Sequence, residues 1–218
     1  MMVMQVGVFS DVHGNLEALE AVWDALARPG LTEGPVLNAG DNVGYGDAPE
    51  ACALFVRARP NIVCVQGNYD KNVAQFPDKE AEFRKKWGKS RPPKLEAIRR
   101  DSEAISEETR AWLRALPKEQ IITLADTRIL LTHYAPGSKE GLGTWTPMAR
   151  LAELAGATDA QVVVCGHTHT PFVRQAGGVL WVNPGTVGRG WRRRVAYAVL
   201  TLEPGAPPEA QLQQVIIP

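Results

Sequence analysis

Apolar residues crowd the segment from Val3 to Phe9, which reads as a strand, and the pattern then changes period. Leu16, Leu19, Val22, Trp23 and Leu26 recur every three or four residues, so the next segment should present one apolar helical face. The stretch "PVLNAG" reads as a short second strand. Asp47 and Glu50 have the spacing of a capping box and predict a helix whose buried stripe is Ala51, Leu54, Phe55 and Ala58. "NIVCVQG" reads as a third strand and, like the second, ends in glycine.

From about residue 71 to residue 120 the character changes. Lys, Arg and Glu dominate, Pro77, Pro92, Pro93 and Pro117 interrupt the run, and pieces such as "SEETRAWLRALP" have helical spacing. A helical insertion on the surface is expected here, placed to serve as a lid. Beyond it the chain turns β-rich. "QIITLADTRILLTH" reads as a hairpin and "TPMARLAELAGA" as a helix capped by Thr146, with Pro147 in its first turn. Further strands are expected at 161–165, at 172–175 paired through "AGG" with 179–182, at 195–202 and at 211–217.

The 218 residues are enough for one domain, 1–218, with a substantial core that needs neither disulfides nor a structural metal. Twenty-four basic and 24 acidic side chains give a formal charge of zero, which leaves no electrostatic footprint for long nucleic acid or an anionic membrane. A small phosphorylated ligand is still compatible with that balance. Cys52, Cys64 and Cys165 are odd in number and lack CxxC spacing, which argues against a disulfide framework or a thiolate zinc site and for a reducing cytoplasm. The N-terminal run lacks a basic leader and a cleavage site, and no apolar run approaches the roughly 18–20 residues that cross a bilayer, so a soluble protein is expected.

Polar residues gather where strands end. The expected strands run out in "SDVHGN", "AGDNVGYG", "QGNYD", "LTHYAPG" and "CGHTHT". In open α/β sheets, ligands bind beyond the carboxyl ends of strands, where short loops from several strands converge. Asp11, Asp41, Asn68, His13, His133, His167 and His169 are the donors so placed, and they include all four histidines of the chain. Oxygen and nitrogen donors without thiolate suit Mn²⁺, Fe, Zn²⁺, Co²⁺ or Ni²⁺ better than Ca²⁺ or an iron–sulfur cluster. Seven donors are too many for one ion with an open position but fit two ions bridged by a carboxylate, for which Asp41 is the candidate. His167 and His169, one residue apart in extended chain, should point to the same side and address different ions.

In their order, "DVH", "GDNVGYG", "GNYD", the single histidine and "GHTH" resemble the signature of the calcineurin-like metallophosphoesterase superfamily, in particular its small single-domain bacterial phosphodiesterase and phosphatase branch. The resemblance implies a mixed α/β fold, a four-layer αββα sandwich of two mixed β-sheets flanked by helices. It implies two divalent transition metals, manganese foremost. Asp11, His13 and His169 would hold the first and Asn68, His133 and His167 the second, with Asp41 between them. Hydrolysis would use water acidified by two ions about 3.5–4 Å apart, which also draw charge from the phosphoryl oxygens. The substrates implied are small phosphomonoesters or phosphodiesters, nucleotides among them. The alternative reading is a non-catalytic metal- or phosphate-binding interaction module on the same fold, which the full ligand set opposes.

Two positions depart from the family pattern. Tyr69 stands where many members have a histidine that assists the leaving group. With an ordinary pKa of about 10, a tyrosine can donate a hydrogen bond to phosphate but is a poor general acid near neutrality. Activated leaving groups should therefore be cleaved more readily than alkyl esters. Tyr134 stands where a glycine is common and would narrow the pocket or stack on a base. Asp70 is expected to orient its neighbours or a ligand histidine. Tyr45 has the option of packing or substrate contact, and Arg189 and the "WRRR" run at Trp191–Arg194 of phosphate recognition, although such runs are usually solvated. The oligomeric state is left open by the sequence.

Overall fold

The alternation of side chains along β1 (Met4–Phe9) sets the architecture. Val6 and Val8 face a second sheet, where they join Ile129, Leu131, Val162, Val164 and Val182 in one buried cluster. Phe9 belongs to the opposite face, packed with Leu19, Val22 and Leu26 of α1 (Leu16–Ala27). Helix and strand lie so close that a Cβ on Gly7 would stand 2.8 Å from Leu26 Cδ2. Asn15 caps α1 by accepting a hydrogen bond from the Ala18 N–H at 3.1 Å.

The structure is a computed structural model and describes residues 3–217. After α1 come β2 (Val36–Asn38), α2 (Pro49–Arg57), β3 (Ile62–Cys64), and three helices, α3 (Asn68–Trp87), α4 (Pro92–Ala104) and α5 (Glu107–Ala115). The chain continues through β4 (Glu119–Leu124), β5 (Thr127–Thr132), α6 (Met148–Ala155), β6 (Val162–Val164), β7 (Phe172–Ala176), β8 (Val179–Asn183), β9 (Arg194–Leu202) and β10 (Glu209–Ile216).

Two five-stranded sheets result, ordered β10-β9-β1-β2-β3 and β4-β5-β6-β8-β7. Both are mixed: β1, β2 and β3 are parallel, as are β5, β6 and β8, while β9 runs antiparallel to β1 and β10, β4 to β5 and β7 to β8. Val163 shows how one strand serves two layers. Its neighbours Val162 and Val164 face the other sheet, while Val163 packs with Leu151 and Leu154 of α6, together with Trp181. Each such fully buried aliphatic side chain contributes about 1.5–3 kcal/mol relative to exposure. Helix, sheet, sheet, helix is thus the order of layers, a mixed α/β αββα sandwich. The β7–β8 hairpin turns through Gly177 and Gly178 at φ 61° and 80°, the left-handed pair that a two-residue hairpin turn needs.

The structure corrects several local expectations. α2 has no capping box: Ala48 is its N-cap and makes no side-chain bond. Glu50 accepts instead from Ser106 and Thr109, at 2.8 and 3.0 Å from their hydroxyls, and so ties α2 to α5. Its buried residues are Pro49, Cys52, Ala53 and Val56, whereas Leu54 is 45% exposed. Pro147, not Thr146, is the N-cap of α6, and the Thr146 hydroxyl accepts from the Gly143 N–H at 3.0 Å.

The helical stretch runs from Asn68 to Ala115 rather than from 71 to 120. Tyr69, Val73, Phe76, Phe83, Trp87, Ile98 and Leu113 form a buried cluster that reaches Val43 and Ala53. Through this packing the helices form one wall of the site. Among the described residues, no helix is long and apolar enough to cross a membrane.

Candidate metal centre

The loops that follow β1, β2, β5 and β6, and the first turn of α3 after β3, meet at one edge of the sandwich. Backbone bonds stitch them together: Asp11 N–H to the Gly40 carbonyl and His13 N–H to the Asp41 carbonyl, both at 2.9 Å, and Gly166 N–H to the His133 carbonyl at 3.3 Å. Asp11, His13, Asp41, His167 and His169 all have left-handed backbones, with φ between 51° and 70°. Side chains other than glycine rarely adopt this region, and such strain clusters at functional sites. It also corrects the extended geometry expected for His167 and His169. Both sit in a loop beyond β6, and it is the loop that sends them to different partners.

Asp11, His13 and His169 form a first cluster. Asp11 is fully buried, and its Oδ2 accepts from the Ser10 hydroxyl at 2.7 Å and the His167 N–H at 3.0 Å. Its Oδ1 has no hydrogen-bond partner and lies 3.3 Å from His169 Nε2 and 3.7 Å from His13 Nε2. The second cluster is Asp11, Asp41 and His133. The Asp41 Oδ1 is engaged by the Tyr69 N–H, at 2.6 Å. Its Oδ2 stands 3.4 Å from His133 Nε2 and 4.0 Å from His13 Nε2, between the two groups.

His133 turns Nδ1 to the Ala39 carbonyl at 2.7 Å, leaving Nε2, buried and without a hydrogen-bond partner, on the Asp41 side. An orphaned carboxylate oxygen and an orphaned imidazole nitrogen are what a metal site shows when its donors are positioned from behind. The residues present therefore fit divalent ions. His167 borders this centre without joining either tight group of histidines and carboxylates, and Asn68 lines the same cleft. The His167 ring lies 5.3 Å from that of His133, and Asn68 Oδ1 accepts from the Tyr134 hydroxyl at 3.1 Å.

The titration of these groups follows from crowding. Burial lowers the pKa of His13, outweighing the pull of Asp41 and Asp11, and burial together with the nearby His133 takes His167 down to about 4. Both are neutral and able to donate a lone pair near pH 7. For Asp11 and Asp41 burial opposes ionisation, but the histidines around them prevail and hold both carboxyls below the usual range.

Asp70 faces away from the ligand atoms. Fully buried, its carboxylate accepts the backbone N–H groups of Asp41, Asn42 and Gly67 at 2.8–2.9 Å. Burial, aided by Asp41, raises its carboxyl to about 7 despite those donors. It holds the Asp41 loop in place and touches no ligand histidine, which corrects one of the two roles expected for it.

An open cleft of about 480 Å³ lies over the centre, lined by Asp41, Asn68, Tyr69, His167 and His169 and also by Tyr45, Lys94 and Arg189. The Tyr69 hydroxyl hydrogen-bonds that of Tyr45, and burial, reinforced by this bond, pushes its pKa well above the ordinary tyrosine value. Lys94 lies 4.9 Å from the Tyr69 ring and Arg189 4.1 Å from the Tyr45 ring, so a cation flanks each tyrosine. Sequence reasoning missed Lys94, which belongs to no motif; its only signal is membership of a cationic helical stretch. Trp191–Arg194 lie outside the cleft, with Trp191 76% exposed and Arg193 directed at Glu17, 3.3 Å away. All three cysteines are buried and unpaired.

Five strand-end loops thus converge, on a double-sheet sandwich, with a donor set that fits divalent ions. A family profile described as the calcineurin-like phosphoesterase superfamily domain matches residues 4–205, and the chain belongs to that superfamily, as a metal-dependent phosphoester hydrolase of its small bacterial type. Among relatives, it is 27% identical over 197 residues to the phosphodiesterase YfcE of Escherichia coli K12, covering 85% of this chain and 80% of that one. A metallophosphoesterase from Sphaerobacter thermophilus superposes with a TM-score of 0.75 at 25% identity, over 99% of this chain and 89% of the other. A protein of Pyrococcus horikoshii OT3, PH1004, shares the fold with a TM-score of 0.84 at 18% identity, covering 98% and 88%.

Proposed function

We propose that this protein hydrolyses a phosphodiester or phosphomonoester bond of a small, nucleotide-type substrate at a centre of two divalent transition-metal ions, with manganese the first choice. The observation that carries the reading is Asp41, whose Oδ2 lies between the orphaned His133 Nε2 and the His13 of the other cluster. Asp11, His13 and His169 would hold one ion, and His133, Asn68 and His167 the other, with Asp41 shared. Such ions supply positive charge for phosphoryl oxygens and lower the pKa of water.

The chain's own groups do the rest. Ser10 and the His167 N–H hold Asp11 by one oxygen and so leave the other free. Asp70 anchors the Asp41 loop through three backbone donors. Asn68 adds a neutral donor, keeping the centre attractive to an anion. Lys94 and Arg189 border the cleft and can meet phosphoryl oxygens. Tyr69, held by Tyr45, offers a hydrogen bond but no proton, so departure of the leaving group depends on its own stability.

The test is hydrolysis of bis-p-nitrophenyl phosphate and p-nitrophenyl phosphate by metal-stripped protein after addition of Mn²⁺, Ni²⁺, Co²⁺ or Zn²⁺, beside Asp41→Asn. Turnover should return with metal and be absent from the variant, and the diester to monoester ratio should narrow the substrate. Turnover undiminished in Asp41→Asn would overturn the reading.

A further inference from the structure

A second and larger groove, about 970 Å³, opens from the same cleft and shares Asn68, Lys94 and His167 with it. Its walls carry Lys71, Lys79, Lys86, Lys94, Lys118 and Lys139, against the carboxylates of Glu82 and Glu119. Glu82 is 4.0 Å from Lys79, the one of these lysines in an ion pair among the described residues. Glu119 already accepts from the Gly137 N–H at 2.9 Å. The groove is thus strongly cationic although the chain as a whole is neutral.

The lysines are close enough to oppose one another. Burial, and then the charges of Lys139, Lys118, Lys79 and Lys86, lower the pKa of Lys71. Like charges crowded into a concave surface destabilise the free protein unless an anion shares them. Phe83 and Trp87 also line the groove, and Lys94 lies 4.8 Å from the Trp87 ring, so an aromatic surface stands beside the cations.

We infer that the groove is a subsite for a chain of phosphates, and that the substrate is a small polyphosphorylated ester whose scissile phosphate sits at the metal centre while further phosphates extend over the lysines. This deepens the proposed phosphoesterase reading and rests on it. A groove of this volume lies at the upper end of the range for small-molecule sites, which suits a short chain of phosphates.

The experiment compares the unmodified protein with Lys71→Gln/Lys118→Gln/Lys139→Gln and with the corresponding triple Lys→Arg variant, after circular dichroism has shown all three folded. On metal-loaded protein, kcat/KM for diadenosine tetraphosphate should fall by about tenfold or more in the Gln variant and recover in the Arg variant, while bis-p-nitrophenyl phosphate is unaffected. On the metal-free full chain, where chelation plays no part, calorimetry should show inorganic tripolyphosphate bound about tenfold more weakly by the Gln variant.

Equal loss on both esters, or unchanged tripolyphosphate affinity, would overturn the subsite. Preference for a single-stranded hexanucleotide over the tetraphosphate would overturn the small-substrate assignment. Metal-loaded protein that turns over neither ester while tripolyphosphate binding still depends on the lysines would count against the hydrolytic reading and support the phosphate subsite.

Discussion

His13 and His169, 156 residues apart in the chain, meet with their Nε2 atoms 2.9 Å apart. Nδ1 of His13 faces the Val43 carbonyl at 3.3 Å, so in the neutral ring Nε2 presents a lone pair to its neighbour. The gap is bridged either by an Nε2–H of His169 donated to that lone pair or by a cation that takes its place. The unengaged Oδ1 of Asp11 stands at the same corner, which favours the cation.

His169→Ala removes one donor of that corner and leaves the Asp41–His133 pair intact. Elemental analysis of the variant is expected to find one ion fewer per chain than in the unmodified protein, and diester turnover should fall by about 100-fold or more. An unchanged metal content would show that Asp11, His13 and His169 do not hold an ion together.

Gly67 is a packing requirement for Asp41. A Cβ built there would run into the Asp41 backbone nitrogen and Oδ1 and lie 2.7 Å from Cγ. Gly67→Ala should therefore displace the shared carboxylate, lowering stability by about 1–3 kcal/mol in urea unfolding and reducing metal content. Gly34→Ala is the control, because a methyl group there meets nothing within 4 Å. If the two variants behaved alike, steric protection of Asp41 would not be the role of Gly67.

Tyr69 should matter little as an acid. Its hydroxyl is bonded to Tyr45 and its pKa is raised, chiefly by burial. Tyr69→Phe is expected to change kcat on aryl phosphates by less than about threefold, whereas Tyr69→His should speed alkyl phosphates by about tenfold or more. A series of esters of graded leaving-group pKa provides the check: the unmodified enzyme should show a steep dependence and Tyr69→His a shallower one. A large loss in Tyr69→Phe on aryl esters would assign the hydroxyl a direct part in the reaction.

The metal-free protein should lose stability as the pH rises. Burial works against a charge on His133, but Asp41, 3.4 Å away, outweighs it and carries the imidazole up to about 9. A histidine raised above its unfolded value of about 6.5 stabilises the fold fully below that pH, and the contribution is lost as the pH passes through 9. Metal must displace the same proton, so metal affinity rises across the window. Melting curves in chelator should shift down between roughly pH 7 and 9.5, and His133→Gln should flatten the trend. A level Tm in the unmodified metal-free protein would contradict the coupling.

The loops of the centre are legible in the chain because each couples a polar donor to a glycine within a few residues of an apolar run. "SDVHGN", "AGDNVGYG" and "CGHTHT" announce their chemistry locally, and strand-end convergence is a general property of such sheets. The register of α2 is a different matter. Its apolar residues serve neighbours on several sides, α1 with Trp23 against Phe55 and also α4 and α5, so no single stripe marks the buried face. Asp70 likewise looks like part of "GNYD", yet its carboxylate turns inward to backbone donors that only the folded β2 loop provides.

By itself, then, the order of apolar runs and glycine-flanked donors determines the alternation of strands and helices and sets the donors at strand ends, since these depend on period and local turn chemistry, whereas the double-sheet class is legible only through the resemblance of those motifs to a known family. Tertiary structure alone decides which oxygen of Asp11 is left free, that Lys94 and Arg189 flank the two tyrosines, and that lysines from α3, α4 and two later loops share one groove. Those relationships join residues many positions apart, and their energies arise from distance and burial, which only the packed chain defines.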